Sequence, residues 1–142
     1  MSGVKIATTD ADIARCFAVM KVLRPHLVDE AELVRRAKHQ MANDHWSLIY
    51  VEDAGEVAAV SGFRIQDYLH SGKTLYVDDL VTAQNKRSRG FGEILLKWMQ
   101  DHARAQGCET FSLDSGTHRT GAHKFYFREG LVVTSFHFAR KL

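Results

Sequence analysis

Residues 75–99 of this chain, LYVDDLVTAQNKRSRGFGEILLKWM, decide its fold. An apolar strand pattern at their start runs into Arg87-Ser88-Arg89-Gly90-Phe91-Gly92 and then, with Glu93 in its first turn, into an amphipathic helix. Because Gly90 and Gly92 carry no side chain, backbone N–H groups there can approach an anion closely, and the positive end of the helix dipole faces the same point. The two arginines add positive charge. The stretch therefore predicts a turn that binds a pyrophosphate.

The bulk composition is that of an ordinary globular domain. The chain has 142 residues, of which 45% are apolar and 25% charged, so it can bury a core, and we expect one domain over residues 1–142. Its net charge is only +2 and its basic residues are scattered among acidic ones, so we expect no nucleic-acid partner. No apolar run approaches the roughly 20 residues that span a bilayer, and Met1 to Ala7 lacks the apolar core of a signal peptide. We therefore expect a cytoplasmic protein with no membrane partner.

Two cysteines, Cys16 and Cys108, are too few for a disulfide framework or a zinc site. We expect both to be small buried apolar residues, and we expect no metal.

The first part of the chain begins with a short strand pattern over Val4–Ala7. Thr9, with Asp12 three residues later, opens a helix that ends before Pro25. A second amphipathic helix begins at about Asp29.

Three strand patterns follow, over Ser47–Glu52, Val57–Arg64 and Thr74–Thr82. The segment Asp53-Ala54-Gly55-Glu56 contains the glycine that a tight hairpin turn needs, so the first two strands should pair antiparallel. A loop over Gln66–Lys73 leads to the third strand and completes an antiparallel meander.

The second part of the chain predicts a helix from Phe91, ended by Gly107, and then a strand over Cys108–Leu113. A strand–helix–strand order of this kind favours a right-handed crossover with the two strands parallel. A last helix over Thr120–Glu129 precedes a strand over Leu131–Ala139 that closes the sheet. The fold class is α/β, a mixed, mostly antiparallel sheet with helices on both faces.

Two motifs in this order point to one family. The hexapeptide Arg87–Gly92 fits the pattern Arg or Gln, two residues, Gly, one residue, Gly or Ala, and Ala122-His123-Lys124-Phe125-Tyr126-Phe127-Arg128-Glu129-Gly130-Leu131 is similar to Ala-x-x-Phe-Tyr-x-x-x-Gly-Phe. Over essentially its full length the chain resembles a GNAT superfamily N-acetyltransferase, which transfers an acetyl group from acetyl-coenzyme A (acetyl-CoA) to an amine. Its run from Ser115 to Tyr126 is also similar to aminoalkylphosphonic acid N-acetyltransferases.

The resemblance implies how acetyl-CoA is held. In the family, the strand before the pyrophosphate turn carries a bulge and splays from its neighbour in a V, so that the pantetheine arm hydrogen-bonds to its backbone. Here the resemblance assigns that contact to Leu80-Val81-Thr82, where a backbone N–H could also polarise the thioester oxygen. Where many members carry an asparagine, three residues before the motif alanine, this chain has Arg119. Arg119 and His123 are candidate contacts to the donor, and His123 equally to the acceptor.

The reaction needs a base, because an acceptor amine with a pKa of roughly 10 is mostly protonated at neutral pH. Asp78 and Asp79 interrupt an apolar strand where many family members carry a glutamate that accepts this proton. Strict alternation places the two on opposite faces, although a bulge would shift the register. We favour Asp79, because it directly precedes the Leu80-Val81-Thr82 run, and Asp78 stays open. The structural alternative is a salt bridge to Arg64 or Lys73.

The leaving thiolate needs a proton or a hydrogen bond. By its position in the second motif, Tyr126 matches the tyrosine that has this role in the family. The alternative for Tyr126 is a core tyrosine that only packs.

The sequence thus predicts an N-acetyltransferase that moves the acetyl group of acetyl-CoA to a primary amine of a small molecule or peptide by direct attack in a ternary complex. Two alternatives stay open, a non-catalytic acyl-CoA sensor and a protein-lysine acetyltransferase. The alternation of Phe136 and Phe138 fits a homodimer contact as well as the core, so the oligomeric state is also open.

Overall fold

The computed structural model describes residues 3–142, which form two compact units, one up to Ser112 and one from Leu113 on. The elements run in the order β1 (Val4–Ile6), α1 (Asp10–Arg15), α2 (Phe17–Leu23), α3 (Glu30–Asn43), β2 (Trp46–Asp53), β3 (Glu56–Tyr68), β4 (Gly72–Thr82), a 3-10 turn (Gln84–Lys86), α4 (Phe91–Ala105), β5 (Thr110–Leu113) and α5 (Thr120–Arg128). The expectation of one domain over residues 1–142 stays a prediction.

Within residues 3–142 the sheet has five strands, in the order β1-β2-β3-β4-β5. The pairs β1–β2, β2–β3 and β3–β4 are antiparallel, which confirms the mixed, mostly antiparallel α/β class. Between β2 and β3, Ala54 at φ 52° and Gly55 at φ 80° make the tight turn that the sequence predicted. The parallel direction of β5 and the V-shaped splay stay predictions.

Helices cover both faces of the sheet in the first unit. On one face, Tyr50 and Val60 belong to a core cluster that includes residues of α1, α2 and α3. On the other face the Ser61 hydroxyl donates a hydrogen bond to Met99 Sδ of α4 at 3.2 Å. Neighbouring residues of a strand point to opposite faces, so Val60 contacts the helices of one layer and Ser61 contacts α4 in the other. This arrangement confirms the prediction of helices on both faces of the sheet.

The first predicted helix is divided in two at Cys16. The N–H of Cys16 donates to the carbonyl of Ile13 at 3.0 Å, a three-residue bond that tightens the chain, and α2 begins at the next residue. The predicted start at Thr9 and the end before Pro25 are confirmed. Cys16 is buried, as predicted, and burial raises the pKa of its thiol to about 12, whereas Cys108 is only half-buried.

The predicted loop over Gln66–Lys73 is wrong. Strand β3 continues to Tyr68 and β4 starts at Gly72, so that Gln66 pairs with Thr74 and Asp67 with Lys73. At this end of the β3–β4 hairpin the strands are partly exposed to water, so their residues are polar. Because loops are also polar, the sequence was interpreted as a loop.

In the second unit, α5 confirms the helix predicted over Thr120–Glu129. The strand predicted over Leu131–Ala139 is wrong, because residues 131–142 form neither helix nor strand. A strand is stable only when a neighbour takes up its backbone hydrogen bonds, and no ladder within the described chain includes this segment.

None of the helices in the described part of the chain has the length and hydropathy of a bilayer-spanning segment.

Candidate active site

A β-bulge in β4 positions the two aspartates. Val77 pairs with Phe63 and Asp79 pairs with Gly62, so Asp78 is an extra residue with no opposite partner on β3. An extra residue breaks the alternation of side chains, and Asp78 and Asp79 both contact arginines rather than pointing to opposite faces. The bulge that would shift the predicted register is therefore present.

Asp79 is bound by an arginine that the sequence did not suggest. Arg24, which caps the C terminus of α2, donates from Nε to Asp79 Oδ1 at 2.7 Å and from Nη2 to the carbonyl of Asp78 at 2.9 Å. Burial raises the pKa of the Asp79 carboxyl above its usual range, and the charge of Arg24 partly opposes this. A carboxylate with a raised pKa accepts a proton more readily, as a general base must.

Asp78 is held differently. Arg64 donates from Nε to Asp78 Oδ1 at 3.0 Å and from Nη2 to Oδ2, and the same Nη2 donates to Gln40 Oε1 at 2.9 Å. Hydrogen bonding to Asp78 raises the pKa of Arg64 further. The salt bridge expected to Arg64 therefore exists, but with Asp78, whereas Lys73 donates to the carbonyl of Gln106. This bidentate pair gives Asp78 a structural role and leaves Asp79 as the better candidate base.

Gly62 lets an aromatic ring and the Asp79 carboxylate come together. A β-carbon on Gly62 would lie 2.8 Å from Trp46 Cε2 and 2.9 Å from Asp79 Oδ2. The Trp46 side chain is buried, and its Nε1 has no hydrogen-bond partner among residues 3–142. The indole of Trp46 thus carries a buried N–H donor without an acceptor in the described part of the chain, next to Gly62. Local sequence patterns gave no signal for Trp46, Gly62 or Arg24, since all three are far from Asp79 along the chain.

The predicted pyrophosphate turn has the backbone geometry that it needs. Gly90, the N-cap of α4, has φ 85°, and no atom lies within 4 Å of the place where a β-carbon would stand. Ser88 also has a positive φ of 62°. The first hydrogen bond of the helix runs from Ile94 N–H to Gly90 O, so the N–H groups of residues 91–93 have no acceptor within the helix. The open space and these donors fit a diphosphate.

Two cationic side chains at this turn already form ion pairs with an aspartate. Asp53, the last residue of β2, accepts hydrogen bonds on Oδ2 from Arg89 and from Lys86, each at 2.9 Å. The Lys86 ammonium is the main cause of a lowered Asp53 pKa. The Arg89 guanidinium also lies 5.4 Å from the Phe91 ring centroid, and Arg87 is exposed. Asp53 and Lys86, which sequence reasoning missed, therefore hold the turn in place.

The three residues predicted to contact the pantetheine arm are the last three residues of β4. Leu80, Val81 and Thr82 stand opposite Ser61, Val60 and Ala59 of β3. The first two are buried, so a contact with the donor would use their backbone. That contact stays a prediction.

In the second unit, Arg119 and Tyr126 act on each other. Burial raises the pKa of the Tyr126 phenol, and Arg119 acts in the opposite direction through a hydrogen bond and its charge. His123 has its Nε2 2.8 Å from the carbonyl oxygen of Gly116. The predicted roles of these residues in donor binding and proton transfer stay predictions.

Comparisons with known proteins agree on one family. The Acetyltransferase (GNAT) family model matches residues 14–130. A Bacillus subtilis protein, the uncharacterized N-acetyltransferase YhdJ, is 30% identical over 141 residues, which cover 99% of each chain. The aminoalkylphosphonate N-acetyltransferase of Salmonella typhimurium is 33% identical over 89 residues, 62% of this chain and 58% of that protein.

A solved structure supports the fold. AAC(6')-Iy, in complex with the bisubstrate analogue CoA-S-monomethyl-acetylneamine, matches with a TM-score of 0.83 at 19% identity, over 98% of this chain and 97% of that one. Since the family match and the relative that is 30% identical both extend over most of the chain, this protein belongs to the GNAT family of acetyltransferases and is an acyltransferase.

Proposed function

We propose that this acyltransferase moves the acetyl group of acetyl-CoA to the primary amine of a small molecule or peptide, by direct attack in a ternary complex. The turn at Arg87–Gly92 carries the proposal, because its left-handed Gly90 and the free N–H groups at the start of α4 suit the diphosphate of a CoA thioester. One relative is named for an aminoalkylphosphonate acceptor, which favours a small amine. Because the family match spans both compact units, we propose that they act as one catalytic domain.

Asp79 is the proposed base. Its carboxylate takes the proton of the acceptor amine, and the raised pKa strengthens this step relative to an ordinary aspartate. Arg24 is a positioning residue, because its 2.7 Å bond fixes Oδ1 and leaves the remaining oxygen for the amine. The acetyl donor supplies the thioester carbonyl that the amine attacks.

Tyr126 is the proposed proton donor to the thiolate, on the resemblance of its motif. A phenol whose pKa is raised by burial keeps its proton at neutral pH, so its O–H is present to donate a hydrogen bond to the thiolate as the C–S bond breaks and to pass its proton to the leaving sulfur. Leu80, Val81 and Thr82 are proposed to contact the donor through their backbone, and Arg87, Ser88, Arg89, Arg119 and His123 through their side chains. The cytoplasmic location stays a prediction.

Calorimetry with acetyl-CoA tests the binding turn. Gly90→Ala and Gly107→Ala form a matched pair, because both glycines have positive φ, 85° and 77°, and both have open space at the β-carbon position. Each alanine costs about 1–2 kcal/mol of stability from backbone strain alone. We expect only Gly90→Ala to weaken acetyl-CoA binding, by about tenfold or more. No heat from the wild-type protein, or equal affinity loss in both variants, would contradict the proposal.

Release of CoA thiol in the presence of an amine panel tests the reaction. We expect turnover with at least one small amine or peptide. Tight acetyl-CoA binding without transfer to any amine would instead support the sensor alternative.

A further inference from the structure

A glycine of β3 separates the Trp46 ring from the Asp79 carboxylate. Gly62 stands opposite Leu48 of β2 on one side and opposite Asp79 of β4 on the other. Trp46 precedes Leu48 by two residues on β2, so its side chain leaves the sheet on the same face and is a diagonal neighbour of Gly62. Because Gly62 has no side chain, the indole can lie across β3 and approach β4.

The place of the missing side chain is filled from both sides. A β-carbon on Gly62 would lie 2.8 Å from Trp46 Cε2 and 2.9 Å from Asp79 Oδ2, so the ring and this oxygen flank one point. Both groups are withdrawn from water, since Trp46 is 5% exposed and the Asp79 side chain 13%. The other oxygen, Oδ1, accepts a hydrogen bond from Arg24. The two carboxylate oxygens thus have different surroundings, a cation at Oδ1 and an aromatic ring at Oδ2.

The indole N–H does not stabilise the charge on this carboxylate. Trp46 Nε1 has no hydrogen-bond partner among residues 3–142, and the Trp46 atoms nearest to the missing β-carbon are ring carbons. A ring that replaces water beside a carboxylate removes solvation and returns none, which disfavours the charged form. The charged groups that act on Asp79 are Arg24 from α2, Arg64 from β3 and Asp78 from β4 itself. The two arginines oppose the effect of burial, and the neighbouring carboxylate adds to it.

We propose that Trp46 is a positioning residue for the acyl transfer, whose ring shields Asp79 Oδ2 from water and leaves that oxygen to the acceptor amine. Shielding of this kind serves catalysis only if Asp79 is the base, so the inference rests on the function proposed above. A carboxylate held away from water has a higher affinity for a proton, so it takes one from the amine more readily. Trp46 therefore strengthens the base through its bulk, whereas Arg24 weakens it through its charge.

Trp46→Phe tests the proposal, because it removes ring atoms next to Gly62 and breaks no hydrogen bond of the indole within the described chain. Water can then reach Asp79 Oδ2, so the pKa of this carboxyl should fall. Since the base acts when deprotonated, the acid limb of the kcat/KM profile should move to lower pH, by about 0.5–1 unit.

Trp98→Phe is the matched control. Trp98 belongs to α4, on the other face of the sheet, where its ring stacks on His102 with the centroids 4.9 Å apart. The same chemical change there should leave the pH profile in place. An equal shift of the acid limb in both variants would overturn the proposal.

The pKa of Asp79 itself separates this inference from the proposed function. NMR of the carboxyl carbons, with the Asp79 signal assigned from Asp79→Asn, follows the titration without any catalysis. We expect a lower Asp79 pKa in Trp46→Phe than in the wild-type protein, and an unchanged Asp79 pKa would overturn the shielding. A lower pKa together with an unmoved acid limb would support the shielding and refute Asp79 as the base.

A measurement that keeps Trp46 decides the matter if Trp46→Phe does not fold. The chain has two tryptophans, so Trp98→Phe leaves Trp46 as the fluorescent indole. Its emission should change as the adjacent carboxylate ionises, with a midpoint above the roughly 3.9 of an ordinary aspartate. The change should be absent from the double variant Trp98→Phe, Asp79→Asn. Trp46 emission that responds equally with and without the Asp79 carboxylate would overturn the proposal.

Discussion

Asp79→Asn tests the candidate base most directly. The amide keeps the shape of the carboxylate, and its oxygen can still accept the bond that Arg24 Nε now donates at 2.7 Å, so the local geometry should survive. What disappears is the group that takes a proton. Loss of a general base lowers the rate about 10²–10⁴-fold, which corresponds to about 2.7–5.5 kcal/mol in activation free energy.

The assay has two parts. Release of CoA thiol with the best amine of the panel should give a kcat/KM that is lower by this factor. Calorimetry should give an unchanged affinity for acetyl-CoA, because the diphosphate turn is not altered.

Asp78→Asn is the matched control, since it removes the neighbouring carboxylate of the same bulge. Asp78 and Arg64 have side chains only 16% and 24% exposed, so loss of the bidentate pair should lower the free energy of unfolding by about 1–3 kcal/mol. Turnover should stay close to wild type. An Asp79→Asn enzyme that keeps wild-type turnover, or an Asp78→Asn enzyme that loses as much, would refute the assignment of the base.

Three further substitutions have separate readouts. Gly62→Ala should lower the free energy of unfolding in urea by about 1–3 kcal/mol, because its β-carbon would overlap Trp46 and the Asp79 carboxylate. Arg24→Gln removes the charge that lowers the pKa of Asp79, and since the base acts when deprotonated, the acid limb of the kcat/KM profile should move to higher pH. Tyr126→Phe should lower kcat by about 10²-fold and leave the Kd for acetyl-CoA unchanged, as expected for loss of a proton donor.

Each of these has a control in the same chain. Gly121→Ala, with open space at the β-carbon position, should raise the free energy of unfolding or leave it unchanged. An equal loss of unfolding free energy in the Gly121 and Gly62 variants would contradict the packing argument. Arg35→Gln removes an exposed helical arginine and should leave the pH profile in place. Tyr68→Phe should keep kcat, so a similar loss there would remove the case for Tyr126.

Patterns within a short stretch of sequence predicted most of the fold. The turn at Asp53–Glu56, the start of α3 after Asp29 and the end of α4 before Gly107 all depend on neighbours in the chain, and the structure confirms them. The break at Cys16 was missed because apolar positions at helical spacing continue through it.

Long-range contacts explain what the sequence could not predict at the candidate site. Arg24 and Asp79 are 55 residues apart, and only the folding of α2 onto β4 brings them together. Arg64 was expected as a salt-bridge partner, but which aspartate it binds depends on a bulge whose position no periodicity reveals. At Leu131–Ala139 the strand pattern is present, but a pattern does not say which backbone will pair with it.

Asp78, the extra residue of the bulge in β4, gives the β3–β4 pair a second possible register. If Asp78 stood opposite Gly62 instead, every later side chain of β4 would change sides, which would send Asp79 toward α4 and bring Leu80 out to the arginines. That arrangement would bury the Asp79 carboxylate without a counter-ion and leave Arg24 without its partner, whereas Asp78 would stay on the side of the arginines. The free-energy difference between the two registers is therefore set largely by the ion pair of Arg24 with Asp79, so this pair also decides which residues of β4 form the core.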